Sequence, residues 1–227
     1  MPRFCLWQNL PWPSTLSRPY GAVETDMELK DICGLDLEDR HNLDAEMAAL
    51  VKGIEKKYGF VPHFVQLFAS DNQRLRAFMG QYMELMRRDS GLTLLEHEMI
   101  ALVSAATNGC VYCTSHHGAL LRAETGDALF AEYLSRNYRL AELSPRHRAM
   151  LDFTVKVNRD AEEITDEDRQ RLRDVGFDDE QIFMICSTAG FYAGANRVAQ
   201  AVGLRPSARY LEMYREPRQA GRRAKAG

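Results

Sequence analysis

A chain of 227 residues, 45% hydrophobic and 27% charged, is long enough to bury a substantial core and has an ordinary globular composition, which excludes disorder throughout. A formal net charge of −3 provides no basic footprint for nucleic acid, and no apolar run approaches the roughly 20 residues needed to cross a bilayer. The N-terminus has no continuous apolar core of the kind a secretory signal carries, so the expected location is the cytoplasm.

Residues 1–40 read as an extended N-terminal arm. Pro2, Pro11, Pro13 and Pro19 prevent a regular helix there, and Trp7 and Trp12 are anchors able to dock it on the body or on a neighbouring subunit. From Asp44 the pattern turns helical through Ala45, Ala48, Ala49, Val51 and Ile54 and stops at Tyr58-Gly59. Pro62 opens a short helix through Phe64, Val65, Leu67 and Phe68. Asp71 or Asn72 caps the next, whose buried face is Leu75, Phe78, Met79, Tyr82, Leu85 and Met86.

Thr93 with Glu96 forms a Thr-x-x-Glu capping box and sets the frame of the following helix. Its apolar stripe is Leu95, Met99, Leu102, Val103 and Ala106, which places Glu98 on the flank of the stripe and turns Glu96 and His97 away from it. A carboxylate at the border of a core needs a partner. Asn108-Gly109 breaks this helix. Cys110 begins another, in which Cys110, Cys113, His117 and Leu121 share one face.

Further on, Gly126-Asp127 introduces a helix with Leu129, Phe130 and Leu134. Ser144-Pro145 supplies a cap and a first-turn proline for Met150 to Val157, and Thr165 with Asp168 forms a second capping box before a stop at Gly176. The longest periodic run spans Asp179 to about Val202, with Ile182, Ile185, Cys186, Ala189, Ala193 and Asn196 on one face, and Gly203 ends it. No segment alternates with a period of two, so the predicted fold class is all-α. The helical domain spans 41–205, and 206–227 is a C-terminal extension with a basic, solvated tail.

Five cysteines in a cytoplasmic chain do not suggest a disulfide framework, and Cys5, Cys33 and Cys186 read as buried or incidental thiols. Cys110 and Cys113 differ: a Cys-x-x-Cys pair in a helix's first turn, one turn from an imidazole, favours the thiolate. A thiolate that attacks a peroxide becomes a sulfenic acid, which a second thiol one turn away converts to a disulfide. The same motif occurs in zinc sites and thioredoxin-like proteins. Here Cys110, Cys113, His116 or His117 and Glu98 are the available ligands, but there is no second cysteine pair, and no βαβ pattern surrounds the motif. Two buried structural cysteines remain a further reading.

Glu98, eleven residues, Cys110-x-x-Cys113, three residues and His117, set in NGCVYCTSHHG, resembles the active-site motif of the alkylhydroperoxidase AhpD and carboxymuconolactone decarboxylase superfamily, in particular its uncharacterised peroxidase-related branch. The run GFDDEQIFMICSTAGFYAGANRVAQAVGL is similar to that branch's C-terminal helix, with Asn196 and Arg197 as its Asn-Arg pair. The resemblance covers roughly residues 40 to 205. It implies a multi-helical AhpD-like domain, a homo-oligomer (dimer, trimer or hexamer) with the site near a subunit interface, Cys113 as peroxidatic cysteine, Cys110 as resolving cysteine, and Glu98 with His117 as proton relay. No cofactor and no metal are expected.

The expected function is therefore a thiol-dependent peroxidase acting on a hydroperoxide, with an external dithiol as reductant and no nucleic acid or membrane as partner. A thiol–disulfide oxidoreductase and a non-enzymatic redox-sensing oligomer are the alternatives. Tyr112 stands where well-known AhpD members have a histidine, and it turns away from the cysteine face to pack on a neighbour. His116 lies about a quarter-turn off that face, as a helix-surface or interface residue. Asn196 and Arg197 are expected in a buried interhelical hydrogen bond or salt bridge, and His41, His63 and His147 are structural or exposed.

Overall fold

The computed structural model describes residues 29–37, 42–86 and 91–215. Trp7, Trp12, Cys5, His41 and residues 216–227 lie outside the described residues. Among the described residues every regular element is helical: α1 (Leu29–Ile32), α2 (Ala45–Tyr58), α3 (His63–Ala69), α4 (Asn72–Leu85), α5 (Leu94–Thr107), α6 (Val111–Thr125), α7 (Ala128–Asn137), α8 (Pro145–Arg159), α9 (Asp166–Asp174), α10 (Asp179–Ala201) and α11 (Ala208–Glu212). Short 3-10 turns at 138–140 and 161–163 follow α7 and α8.

The ends of these helices follow from local chemistry. Asp44, Asp71, Ser144 and Asp178 each accept a first-turn backbone N–H, which satisfies donors the helix cannot pair internally. Thr93 and Thr165 open α5 and α9 with reciprocal capping boxes through Glu96 and Asp168. α2 and α6 end on Gly59 and Gly126 at φ 75° and 69°, the left-handed conformation that glycine adopts without a Cβ clash.

α5 is the axis of the molecule. It packs against α6, α7, α8 and α10, and ten of its fourteen residues are buried, from Glu96 through Ala105. This corrects the expected single stripe. With neighbours on all sides, Glu96 and His97 are as buried as Glu98, because a helix enclosed on every side has no solvent face to which polar residues can turn. Around it, Met99, Ile100, Leu102, Leu121, Leu134, Met150, Leu151, Leu172, Ile182 and Ile185 form one continuous core. A second cluster joins α3 and α11 to the start of α6, through Phe60, Phe64, Cys110, Tyr112, Cys113 and Tyr210.

The chain on either side of the central bundle closes onto it. Gly34 N–H donates to the Val202 carbonyl at 2.7 Å and Arg205 N–H to that of Ile32 at 2.8 Å, so α1 is tied to the end of α10. α11 is fastened by the buried Arg122, whose guanidinium donates to the carbonyls of Met213 at 2.9 Å and Tyr210 at 2.5 Å. No helix of the described residues is long and apolar enough to cross a membrane.

Because Leu102 is fully buried within α5, Leu102→Ala is expected to cost about 2–5 kcal/mol of unfolding free energy. Leu129→Ala, at a side chain on the exposed face of α7, should change it by less than about 0.5 kcal/mol. Urea denaturation of the two variants checks the contrast.

Candidate active site

The site is built at the corner where α5 becomes α6. α5 ends at Asn108, and Gly109 turns the chain at φ 68°, with Cys110 N–H donating back to the Ala105 carbonyl at 2.9 Å. A left-handed glycine allows this reversal within one residue. Cys110 then becomes the N-cap of α6, its sulfur accepting the Cys113 N–H at 3.2 Å. The two cysteines are joined as a disulfide, their Cα atoms 5.3 Å apart, and both are buried, with 1% of Cys110 and 5% of Cys113 exposed. In the reduced state a sulfur at a helix N-terminus faces unpaired N–H groups and the positive end of the helix dipole, which favour the thiolate.

Polar side chains around the turn fix its position. Asn108 Nδ2 donates to Asn158 Oδ1 at 2.7 Å and Asn196 Oδ1 at 3.3 Å, and Asn158 Nδ2 donates to the Ser104 hydroxyl at 3.0 Å. Gln200 donates to the Asn108 carbonyl at 3.1 Å. Side chains of α8 and α10 thus hold the end of α5, and through it the helix N-cap that carries Cys110.

Glu98 and His117 meet across the α5–α6 contact, with Nδ1 of His117 2.9 Å from Glu98 Oε2 and both side chains buried. Burial pushes Glu98 up to about 8 and His117 down to about 3, so at neutral pH the pair is uncharged overall. Glu96, two residues earlier on the same helix, behaves in the opposite sense. Its own burial disfavours charge, but hydrogen bonds from Thr93 and the Arg146 guanidinium at 2.9 Å win, and it stays below the ordinary carboxyl range. The difference is the partner: Glu96 has a permanent cation and a capping box, whereas among the described residues Glu98 has only an imidazole.

Glu98 meets His117 across the α5–α6 contact and Cys110 is joined to Cys113 one turn earlier on α6, and other sequence expectations fare differently. His116 is half-buried, not a surface residue: its ring packs edge-on against His117 at 4.9 Å and Tyr210 at 4.8 Å. Its Nδ1 is buried with no hydrogen-bond partner among the described residues, because α11 folds back over α6 and covers this side of the helix. His97 is buried against α10, with Nδ1 3.2 Å from the Thr188 hydroxyl, and burial holds it neutral down to about 4. Tyr112 packs on Phe64 at 6.0 Å between centroids, and its hydroxyl accepts the Phe64 N–H at 3.0 Å. This caps α3, whose own N-cap, Pro62, offers no side-chain acceptor.

Asn196 is fully buried in the interhelical network. Arg197 is exposed and bonds only to the Ala193 carbonyl of its own helix among the hydrogen bonds observed, because it falls about a quarter-turn from Asn196 on α10. His63 is buried and bonds the Arg205 carbonyl at 2.7 Å. Among the described residues no three His, Cys, Asp or Glu side chains gather into a set that would hold a metal ion. The two sulfurs are bonded to each other, and Glu98 and His117 face each other.

Tyr192 was not singled out by its sequence. Its ring lies edge-on to His117 at 4.7 Å and its buried hydroxyl has no hydrogen-bond partner among the described residues. Burial first, then the charge of Glu98, holds this phenol well above its ordinary value. The signal was present in its helical spacing, since Tyr192 shares the stripe of Ile185, Ala189 and Asn196. A buried tyrosine is usually read as core, which hides a polar group set beside an imidazole.

These features define a class: an all-helical protein with a paired dithiol at a helix N-cap and a buried carboxyl–imidazole contact beside it. Residues 73–128 match the carboxymuconolactone decarboxylase family. The fold is similar to that of an uncharacterised peroxidase-related protein from Silicibacter sp. TM1040, at 37% identity, TM-score 0.78, covering 86% of this chain and 100% of that one. A peroxidase-related protein from Ralstonia eutropha JMP134, described as an alkylhydroperoxidase AhpD core, aligns at 35% identity and TM-score 0.77 over 82% and 98%. The debrominase Bmp8 shares the fold at 18% identity and TM-score 0.62 over 75% and 90%. No curated protein matches. The chain belongs to the alkylhydroperoxidase AhpD and carboxymuconolactone decarboxylase superfamily.

Glu98 is raised in the fold from its ordinary 4.5 to about 8. Its protonated form therefore contributes stability that is complete below the unfolded value and is lost as pH rises through the folded one. Between about pH 5 and pH 8, wild type should lose stability relative to Glu98→Gln by on the order of a few kcal/mol. Denaturant midpoints measured across that range check the sign and the window.

Proposed function

We propose that this protein is a thiol-dependent hydroperoxide reductase in which Cys113 is the reacting thiol, Cys110 resolves it, and Glu98 with His117 moves the proton. The observation that carries the reading is that the helix whose first turn holds the Cys110–Cys113 pair also carries, one turn further on, the His117 that contacts Glu98. Membership of the superfamily and the peroxidase-related names of its structural relatives support it.

The chemistry follows from the proton inventory. When the imidazole gives up its Nε2 proton, the proton between Glu98 and His117 passes to Nδ1, facing the resulting carboxylate, and Nε2 becomes a base for the Cys113 thiol. The Cys113 thiolate attacks the terminal oxygen of a hydroperoxide. The O–O bond breaks, sulfur is oxidised to a sulfenic acid, and the departing alkoxide takes the proton from the imidazole to leave as an alcohol. The Cys110 thiol then attacks the sulfenic sulfur, forming the disulfide and releasing water. An external dithiol restores both thiols by two exchange steps.

Tyr112 takes no part in this cycle: its phenol is held protonated by burial first, and its hydroxyl is committed to α3. Further copies of the chain, and action in the cytoplasm, complete the proposal.

Stopped-flow reaction of the fully reduced protein with a hydroperoxide tests the assignment. Cys113→Ser should abolish the fast phase, Cys110→Ser should retain it but end at a sulfenic acid trappable by a dione reagent, and Glu98→Gln should slow it by about 10²–10⁴-fold. A Cys113→Ser protein that reacts as fast as wild type would overturn the role given to this residue.

A further inference from the structure

An aromatic groove of about 300 Å³ runs between α3, α4 and α10. Phe64, Phe68, Phe78 and Phe191 wall it, Val198 and Gln81 complete its lining, and no charged side chain takes part. Among the described residues Phe68, Phe78 and Phe191 are only half-buried and Val198 is 42% exposed, a contiguous apolar surface of the kind a folded chain rarely leaves uncovered. Along the α10 edge, Gly190 and Gly194 lie one turn apart inside a 23-residue helix, where each costs about 1 kcal/mol relative to alanine. A Cβ at either would meet nothing within 4 Å. Packing among the described residues therefore does not call for glycine, and the open edge suits a segment laid against the helix backbone.

The chain carries such a segment and delivers it beside the groove. Residues 4–13, FCLWQNLPWP, hold both tryptophans, two prolines and no charge, which matches the uncharged lining. The chain enters the described body at Leu29 in α1, and this element touches both α3 and α10. It packs on α3, and the backbone hydrogen bonds of Ile32 and Gly34 with Arg205 and Val202 tie it to the end of α10. Val202 is one turn beyond Val198, and Gly190, at the far end of the groove, is about 18 Å along the helix from Val202. Leu29 follows Trp12 by 17 residues, up to about 55 Å of extended chain, so reach is no obstacle. A tether of this kind sets an effective concentration on the order of millimolar, at which weak docking suffices.

We propose that this groove is the docking site of the chain's own N-terminal arm, with the ring of Trp12, flanked by Pro11 and Pro13, seated among the phenyl rings and Gln81 accepting its indole N–H. Proline-rich segments suit aromatic-lined grooves because their backbone is already extended and loses little freedom on binding. An indole adds offset and edge contacts with phenyl rings, and its N–H needs an acceptor once buried. The volume, at the lower end of small-molecule sites, suits one aromatic ring with its neighbouring prolines rather than a helix from another molecule. Neither the groove nor the arm includes a residue given a role in the redox cycle, so the docking stands or falls apart from the peroxidase reading.

The only two tryptophans of the chain lie in this arm, so the indole fluorescence of the full-length protein reports on it alone. In a Trp7→Phe protein, which leaves Trp12 as the sole reporter, acrylamide quenching of the native chain is expected to be severalfold weaker than that of the urea-unfolded chain, with emission shifted to the blue. Gly194→Leu, which fills the groove from α10, should remove that protection. Gly80→Leu, at a position of α4 equally open to a Cβ but outside the groove, should keep it. Circular dichroism checks that each variant is folded, and Gly190→Leu replaces Gly194→Leu where the latter is not. Trp12 quenched as readily in the native as in the unfolded chain, or protected equally in Gly194→Leu, would overturn the docking. So would protection that is lost on dilution, or a fall in oligomeric mass with Gly194→Leu, either of which gives the groove to another copy of the chain.

Discussion

A carboxyl group on a helix with no solvent face must find a partner or stay protonated, and Glu98 does both through Nδ1 of His117. This contact crosses from α5 to α6 and sets the register between the two helices on which the dithiol depends. Its character comes from what is missing around it. The Glu96 carboxylate, half a turn away, is held ionised by Arg146 and its own capping box, whereas Glu98 has no cation and is therefore free to exchange a proton near neutrality. Two acids of the same helix are thus divided into a structural anchor and a titrating group by their partners alone.

The dithiol owes its position to a turn rather than to a surface. Gly109 reverses the chain in one residue, Cys110 caps the new helix with its sulfur, and the side chains of Asn158 and Gln200 hold Asn108, the end of α5, from two other helices. Tyr112 braces the same helix start against α3 by capping it. Where related motifs place an imidazole, this chain has a hydroxyl used for architecture, so in the proposed cycle proton transfer falls to the Glu98–His117 pair.

Both sulfurs are buried, and α11, latched by Arg122, covers one flank of α6 beside His116. The aromatic walls of the groove lie on other neighbours of the site, α3 and α10, with Gly190 and Gly194 keeping one edge open. A small reactant is compatible with this enclosure; a bulky partner needs a sulfur to become more exposed.

The sequence by itself determined the helices, because capping chemistry and apolar spacing are local: Thr93-Glu96, Asp71, Ser144-Pro145 and Gly109 act within one or two turns of themselves. It also determined that Cys110, Cys113 and His117 share a face, since that follows from helical geometry over eight residues. Only the tertiary structure decided which polar residues of α5 are enclosed, because burial depends on the helices packed around it and a periodic pattern assumes one open side. The same holds for His116, covered by an α11 more than 90 residues away in the chain, and for Tyr192, whose nearness to His117 depends on how α10 crosses α6. Proton affinities at the site depend on those long-range contacts, and no local pattern encodes them.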